Sequence, residues 1–277
     1  DKTGPLTENR MIVERAWTPA GAFTVGGEGY APDGSIEPDR AGAGAGAEAA
    51  IDRPAVLDPA AEAALDHLAR IAVACNDATL RAPERAGGSW TITGDPTEGA
   101  LLAFAGKRGI FAADLLAEHP RLEEITFDAA RRRMTTLHAF EDHVRVASKG
   151  AHEALAPLLD PLAAPLVAEA EAVARRYAAD GYRVLALAFR DIPSVPPDLE
   201  RAETRLRLAG LVAMADPPRP ASAASIAACR TAGVTPIMIT GDHPLTGAAI
   251  ARRIGILRPG DETLTGADLD ELDDDAF

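Results

Sequence analysis

The sequence predicts an α/β protein with two kinds of sheet: an antiparallel one in a central α+β region and a parallel one near the C-terminus. Three observations carry this. Strand-like runs between residues 89 and 190 are joined by short hairpin connections such as "FEDH", which closes an antiparallel pair. Residues 206–256 instead alternate apolar run, helix, apolar run, helix, the pattern of parallel strands with right-handed crossovers. The length of 277 residues accommodates one large domain or two ordinary ones.

The elements follow in order. The stretch from Glu37 to Asp52 contains "AGAGAGAEAA", low in complexity, with no strand before it and no Lys-Ser/Thr after it, so a mobile surface loop is expected rather than a phosphate cradle. Between Pro59 and Cys75, Ala64, Leu65, Leu68, Ile71 and Ala72 recur at helical spacing, predicting an amphipathic helix. Further helices are expected over 99–108 and 167–180. Strands are expected in "SWTITGD", "RLEEITFD", "RRRMTTLHAF", "HVRVASKG" and "YRVLALAFR". "LRLAGLVAMAD" then reads as a buried strand and "SAASIAACRTAG" as a helix closed by Gly233. "TPIMITGD" reads as a second strand and "PLTGAAIARRIGI" as a helix ending at Gly255.

Hydrophobic residues make up 47% and charged residues 25%, an ordinary globular balance. The formal charge of −14 argues against a general nucleic-acid binder, which needs a basic field to release counterions. A local basic cluster holding one nucleotide remains compatible with it. Cys75 and Cys229 match no metal-ligand spacing and are expected to be buried free thiols. No run approaches the roughly 20 apolar residues that span a bilayer.

Each apolar run of the C-terminal region ends in an aspartate, Asp216 and Asp242, and ligands of open α/β sheets sit at the carboxyl ends of strands. Asp1, in an Asp-Lys-Thr-Gly turn, is placed to follow a further strand. Three converging carboxylates repel one another unless a cation joins them, which favours magnesium and a magnesium-bound phosphate. An aspartate facing phosphorus can act as a nucleophile, with Lys2 and turn N–H groups stabilising the transferred charge. The alternative is that Asp216 and Asp242 only cap turns or helices.

These motifs resemble the P-type cation-transporting ATPases, whose phosphorylation domain has the haloacid-dehalogenase-like fold. "DKTGPLT" at 1–7 matches six of the seven positions of that family's Asp-Lys-Thr-Gly-Thr-Leu-Thr signature. "KGAHE" at 149–153 is similar to its Lys-Gly-Ala-Pro-Glu, "DPPRP" to its Asp-Pro-Pro-Arg hinge and "MITGDHPLTGAAIARRIGI" to its Thr-Gly-Asp segment. "GEGYAPDG", "GDPTEGALL" and "GYRVLALAFR" add to a likeness that is greatest with the calcium-ATPase-like branch.

The resemblance implies a partial haloacid-dehalogenase-like Rossmannoid parallel sheet interrupted by a nucleotide-binding domain. Its segments would be residues 1–9 and 209–277, with the insertion at 10–208. It further implies that Asp1 accepts the γ-phosphate of ATP and, with the Thr3 carbonyl, holds Mg2+. Lys2, Thr240, Gly241 and Asp242 would lie against the phosphate. Asp216 and Arg219 would form the hinge, Arg219 also reaching nucleotide. In the insertion Phe127 would stack on adenine, Lys149 and Gly150 would line its pocket, Glu98 would support it and Arg183 would reach the phosphates. Such roles suit the residue types: an aromatic face gives adenine a dry platform, and Lys149 and Arg183 bring positive charge into an acidic protein.

The chain also departs from the family pattern. Pro5 replaces a Thr, His152 a Pro, and Ala129 stands where calcium pumps often carry Arg; Arg131, Arg132 and Arg133 are placed to compensate. The family's Gly-Asp-Gly-x-Asn-Asp motif, with its magnesium-binding carboxylate, is absent from this sequence. The expectation is therefore a cytosolic slice of a membrane pump, cut at both ends, whose transmembrane and actuator parts lie elsewhere. The pump would move a cation, calcium on the resemblance, and the slice alone would bind ATP weakly and turn over little. Two rivals are a soluble phosphatase of the dehalogenase-like fold and a non-catalytic nucleotide-binding module, the latter favoured by Pro5.

Overall fold

A computed structural model describes residues 6–39, 57–85, 87–240, 244–266 and 268. The expectations for Asp1, Lys2, Thr3 and Pro5, for Gly241 and Asp242, and for the acidic stretch after residue 268 lie outside them. So does the loop expected over 37–52, except at 37–39, where Glu37 and Pro38 instead belong to a strand. The chain divides into a larger unit, residues 11–176 and 183–215, and a smaller one drawn from 1–10, 177–182 and 216–277.

The larger unit runs β1 (Ile12–Thr18), β2 (Gly21–Val25), β3 (Ile36–Pro38), α1 (Pro59–Ala74), β4 (Thr79–Arg81), β5 (Thr91–Thr93), α2 (Pro96–Gly106) and α3 (Ala112–Glu118). It continues through β6 (Arg121–Asp128), β7 (Arg133–Ala139), β8 (Val144–Gly150), α4 (His152–Leu155), β9 (Arg183–Ile192) and β10 (Arg207–Ala215), with α5 (Ala164–Ala179) before β9. Eight strands form one sheet in the order β3-β2-β1-β10-β9-β8-β7-β6. Every pairing in it is antiparallel. The antiparallel sheet of the central region is as expected; β1, β2 and β3 were not foreseen.

The helices begin where their sequences dictate. Asp58 caps α1 by accepting from Ala61 N at 2.8 Å, and Pro59 stands at the first helical position, where its missing N–H costs nothing. Asp95 and Pro96 open α2 in the same way. α1 packs on α2, α3 and one face of the sheet, burying Leu65, Leu68, Ala69, Ile71 and Ala72. α2 is buried from Gly99 through Gly106, as its uniformly apolar circumference requires. Each fully buried Leu or Phe here contributes about 1.5–3 kcal/mol relative to exposure. Gly210 lets β10 approach: a β-carbon there would stand 2.2 Å from the Trp17 carbonyl oxygen and 3.1 Å from Leu68.

The sheet's other face carries a buried carboxylate. Glu203, 2% exposed, accepts from Arg133 Nε (3.0 Å) and Nη2 (2.9 Å), from Thr135 Oγ1 (2.7 Å) and from Arg131. Thr135 also bonds Ser148 across the strand pair at 2.8 Å. The three-arginine run is thus mainly structural at two of its members.

The smaller unit joins the chain's early and late segments. Thr7 bridges to Pro218, Glu8 N donates to the Pro217 carbonyl at 3.0 Å and Arg219 N to that of Leu6 at 2.9 Å. Then come α6 (Pro220–Thr231) and α7 (Pro244–Arg253), followed by Gly233 and Gly255 with φ of +80° and +77°, the left-handed exit that favours glycine.

Three expectations are corrected. The run at 206–216 does not open a parallel sheet; as β10 it pairs antiparallel with β1 and β9. Residues 234–240 form no strand, and Val234, Ile237 and Ile239 are exposed. Buried apolar runs of this length specify a strand but not its neighbours' direction. Cys75 is buried as expected, but Cys229, also expected to be buried, is exposed, because α6 buries only Ser222 and Ile226.

Burial alone would raise the Glu203 carboxyl, but hydrogen bonds from Arg133 and Thr135 and the charges of Arg133 and Arg131 outweigh it and hold it below the usual range. A carboxylate with a depressed folded pKa stabilises fully above its unfolded pKa, and that contribution is lost as pH falls through the folded value. Glu203→Gln is therefore expected to cost about 3 kcal/mol at pH 7 and progressively less on acidification. Denaturant unfolding followed by tryptophan fluorescence reports this unit, since Trp17 lies buried in β1.

Candidate functional site

The site grows from the C-terminal end of α1. The last carbonyls of a helix have no partner within it, and α1 has no basic residue in its last turn. The sheet supplies the donors. Lys149 of β8 gives its Nζ to the Cys75 carbonyl at 2.7 Å. Thr136 and His138 of β7 reach the Ala74 carbonyl at 3.2 and 3.1 Å.

Lys149 is 7% exposed and also pairs with Glu98 Oε1. Glu98, in the first turn of α2, accepts from Asp77 N at 3.2 Å through Oε2. Its backbone carbonyl accepts from Asn76 Nδ2 at 3.0 Å. A buried Lys149 Nζ therefore has a carboxylate and a carbonyl as partners, which offsets the cost of removing it from water. Beside it, burial pushes the Cys75 thiol up, the Lys149 charge only partly offsetting this.

Phe127 lies on β6, 63% exposed. The registered pairs Ile125↔Thr135 and Asp128↔Arg133 leave Thr126 and Phe127 opposite the single residue Met134, a β-bulge of the kind that re-aims side chains. Met134 is the cross-strand partner of Lys149. An exposed aromatic ring and a buried ammonium thus share one register across three strands.

The other expected residues are distributed around this pair. Arg183, exposed at the start of β9, donates to Thr97 Oγ1 at 3.1 Å, next in sequence to Glu98. Gly150 closes β8, where a β-carbon would stand 2.5 Å from the Arg132 carbonyl oxygen. Arg132 itself has φ of 51° and pairs at the surface with Glu153 at 2.7 Å. In the smaller unit Asp216 accepts from Thr7 Oγ1 at 2.6 Å and Arg10 N at 3.1 Å. Arg219 is the N-cap residue of α6. Thr240 lies against α7, its Cγ2 3.0 Å from where a β-carbon on Gly247 would stand.

A cleft of about 240 Å³ adjoins the α1 end of this site through Ala74 and His138, and is lined also by Arg70, Ile71, Leu115 and Arg145. Among the described residues no group of three or more His, Cys, Asp or Glu side chains could hold a metal ion. None of their helices is long and apolar enough to cross a membrane. Sequence reasoning missed Asn76 and Asp77, which bond Glu98, and Arg121, which bonds that same loop. The alternation of "RLEEITFD" placed Arg121 on a strand but gave no sign of its partners.

Comparison with known proteins gives the family. Residues 64–221 match the family described as P-type ATPase, cytoplasmic domain N, and the chain belongs to that family. It is 39% identical over 297 residues to a protein named probable cation-transporting ATPase F of Mycobacterium tuberculosis, covering 100% of this chain and 30% of that protein. It is 34% identical over 283 residues to a calcium-transporting ATPase of Bacillus subtilis, covering 98% and 30%. With a cation-transporting ATPase, pma1, of Synechocystis the figures are 37% over 270 residues, 94% and 28%. The chain thus spans about 30% of the length of these relatives.

Removing the ammonium strands its acceptors. Lys149→Met is expected to destabilise the larger unit by about 2–3 kcal/mol. The double variant Lys149→Met with Glu98→Gln should lose less than the sum of the single losses. Urea unfolding of the four proteins at neutral pH measures both.

Proposed function

We propose that the larger unit holds ATP for a cation pump, with Phe127 stacking on adenine and Lys149 lining the adenine pocket. The observation that carries this is the shared register of an exposed Phe127 and a buried, ion-paired Lys149 in a P-type ATPase N domain. An exposed aromatic face stacks on a nucleobase, and alanine substitution at such a platform costs about 1–3 kcal/mol per base. Glu98 fixes the ammonium, and Arg183, on Thr97 of the same helix turn, supplies charge toward the phosphates. Gly150 leaves room for the Arg132 turn at the end of β8.

In the whole protein we take Asp1 as the acceptor of the γ-phosphate. A carboxylate oxygen attacks the γ-phosphorus, the bond to the β–γ bridging oxygen breaks, and ADP leaves with an aspartyl phosphate behind it. Lys2, Thr240, Gly241 and Asp242 would stabilise the transferred group, and Asp216 and Arg219 would form the hinge segment. Magnesium, held by Asp1 and the Thr3 carbonyl, would neutralise phosphate charge. The relatives' names favour a cation as the cargo, calcium for the protein of Bacillus subtilis, and the energy of phosphorylation would shift the pump between two states.

Calorimetric titration of the 277-residue chain with ATP tests the nucleotide site. Phe127→Ala and Lys149→Met are each expected to weaken ATP at least tenfold, and Phe127→Ala to weaken adenosine equally, because the base alone meets the ring. Wild-type affinity in both variants would overturn the assignment.

A further inference from the structure

We propose that Arg121 is a positioning residue for the nucleotide: it ties the strand that carries Phe127 to the loop that holds Lys149 and Glu98. This rests on the nucleotide reading above and goes beyond it, because Arg121 belongs to none of the motifs that led there.

The guanidinium spends its donors on one short segment. Nη2 reaches the Asn76 carbonyl at 2.6 Å and that of Ala74 at 3.5 Å, and Nη1 reaches Asp77 Oδ1 at 2.6 Å. Nη1 also meets Glu124 Oε2 at 2.7 Å on its own strand. The same segment, 74–77, gives the Cys75 carbonyl to Lys149 and the Asp77 N–H to Glu98. Asn76 adds its side-chain amide to the Glu98 carbonyl. One fork from β6 therefore clamps the loop on which the ammonium and its carboxylate both rest.

The need for such a tether lies in β6 itself. It closes one edge of the eight-stranded order, bonded only to β7. Its register breaks twice, between Arg121 and Glu123 and between Ile125 and Asp128. Regular ladder bonding thus secures only its middle, while Phe127 sits in the second break. A surface ion pair would contribute little here, but Arg121 has a side chain 24% exposed and takes two main-chain carbonyls at a helix end, where a cation also meets the negative pole of the helix. The planar fork matters: lysine offers a point charge in place of several donors at fixed angles.

A double-mutant cycle read in ATP affinity distinguishes positioning from general stability. Using the 277-residue chain below the melting range of every variant, Arg121→Met is expected to weaken ATP about tenfold. In the Phe127→Ala background the same change should weaken it less than about threefold, since the ring whose place it sets is gone. Arg121→Lys, which keeps the charge and loses the fork, should fall between Arg121→Met and wild type, and it serves if Arg121→Met does not fold. Equal fold losses in the two backgrounds, or wild-type affinity in a folded Arg121→Lys, would overturn the proposal. If instead neither Phe127→Ala nor Lys149→Met alters ATP binding, the nucleotide reading itself falls.

Discussion

The exposed carbonyl end of α1 is the constraint around which the larger unit is arranged. A helix of this length ends in partial negative charge and unpaired acceptors, and its own last turn offers no cation to meet them. Arg121, Thr136, His138 and Lys149, drawn from three neighbouring strands, converge on the carbonyls of Ala74, Cys75 and Asn76 instead. The helix thereby fixes the register at which β6, β7 and β8 meet it. Lys149 is then a helix cap as well as a candidate ligand group, and its burial follows from the first duty. An ammonium so held has lost its freedom to rotate away, so little further ordering is needed when an aromatic base arrives beside it.

Charge distribution complements this. With −14 overall the chain does not attract a polyanion from a distance, and at physiological ionic strength fields between exposed charges fade within about 8 Å. Recognition must come from contact. Most arginines near the site are already committed: Arg131 and Arg133 to Glu203, Arg132 to Glu153, Arg121 to Asp77 and Glu124. That division explains why the basic run at 131–133 is a weak indicator of a phosphate site. Its position beside the turn into β7 looks suggestive in one dimension, yet two of its three members neutralise a buried carboxylate on the opposite face of the sheet from Lys149.

How much of this was legible in the sequence depended on the range of the interactions. Apolar spacing places α1 from Pro59, whereas α2 starts at Pro96, three residues before the 99–108 expected, because apolar spacing does not register the local Asp95-Pro96 cap. The strands between 121 and 190 alternate clearly enough to be read. The run at 206–216 was correctly a strand, but an apolar strand buried on both faces looks the same in parallel and antiparallel company. Glu203 sits in the polar stretch "DLERAETR", with nothing local to distinguish a buried carboxylate from a solvated one. Likewise the loop partners of Arg121, Asp77 and Asn76, lie more than forty residues away. Motif resemblance located Glu98 and Lys149, separated by 51 positions, without saying that they touch.

The chain's passage between its two units shows the same economy of local chemistry. β1 begins and β10 ends side by side, Ile12 registering with Ala215. Beyond that pair the exit strand reads Asp216-Pro217-Pro218-Arg219-Pro220, and prolines cannot donate to a ladder. The antiparallel sheet therefore has to stop there. Carbonyl and carboxylate oxygens take over: Glu8 N finds the Pro217 carbonyl, and Arg10 N finds the Asp216 carboxylate. Asp216 simultaneously accepts from Thr7 Oγ1. Entry and exit segments more than two hundred residues apart are thus fastened by an isolated bridge at Thr7 and Pro218 and by the Asp216 side chain, where prolines shorten the main-chain ladder. An aspartate read from sequence as a candidate for phosphate chemistry has, in the fold, the prior task of supplementing a ladder that prolines cut to a single bridge.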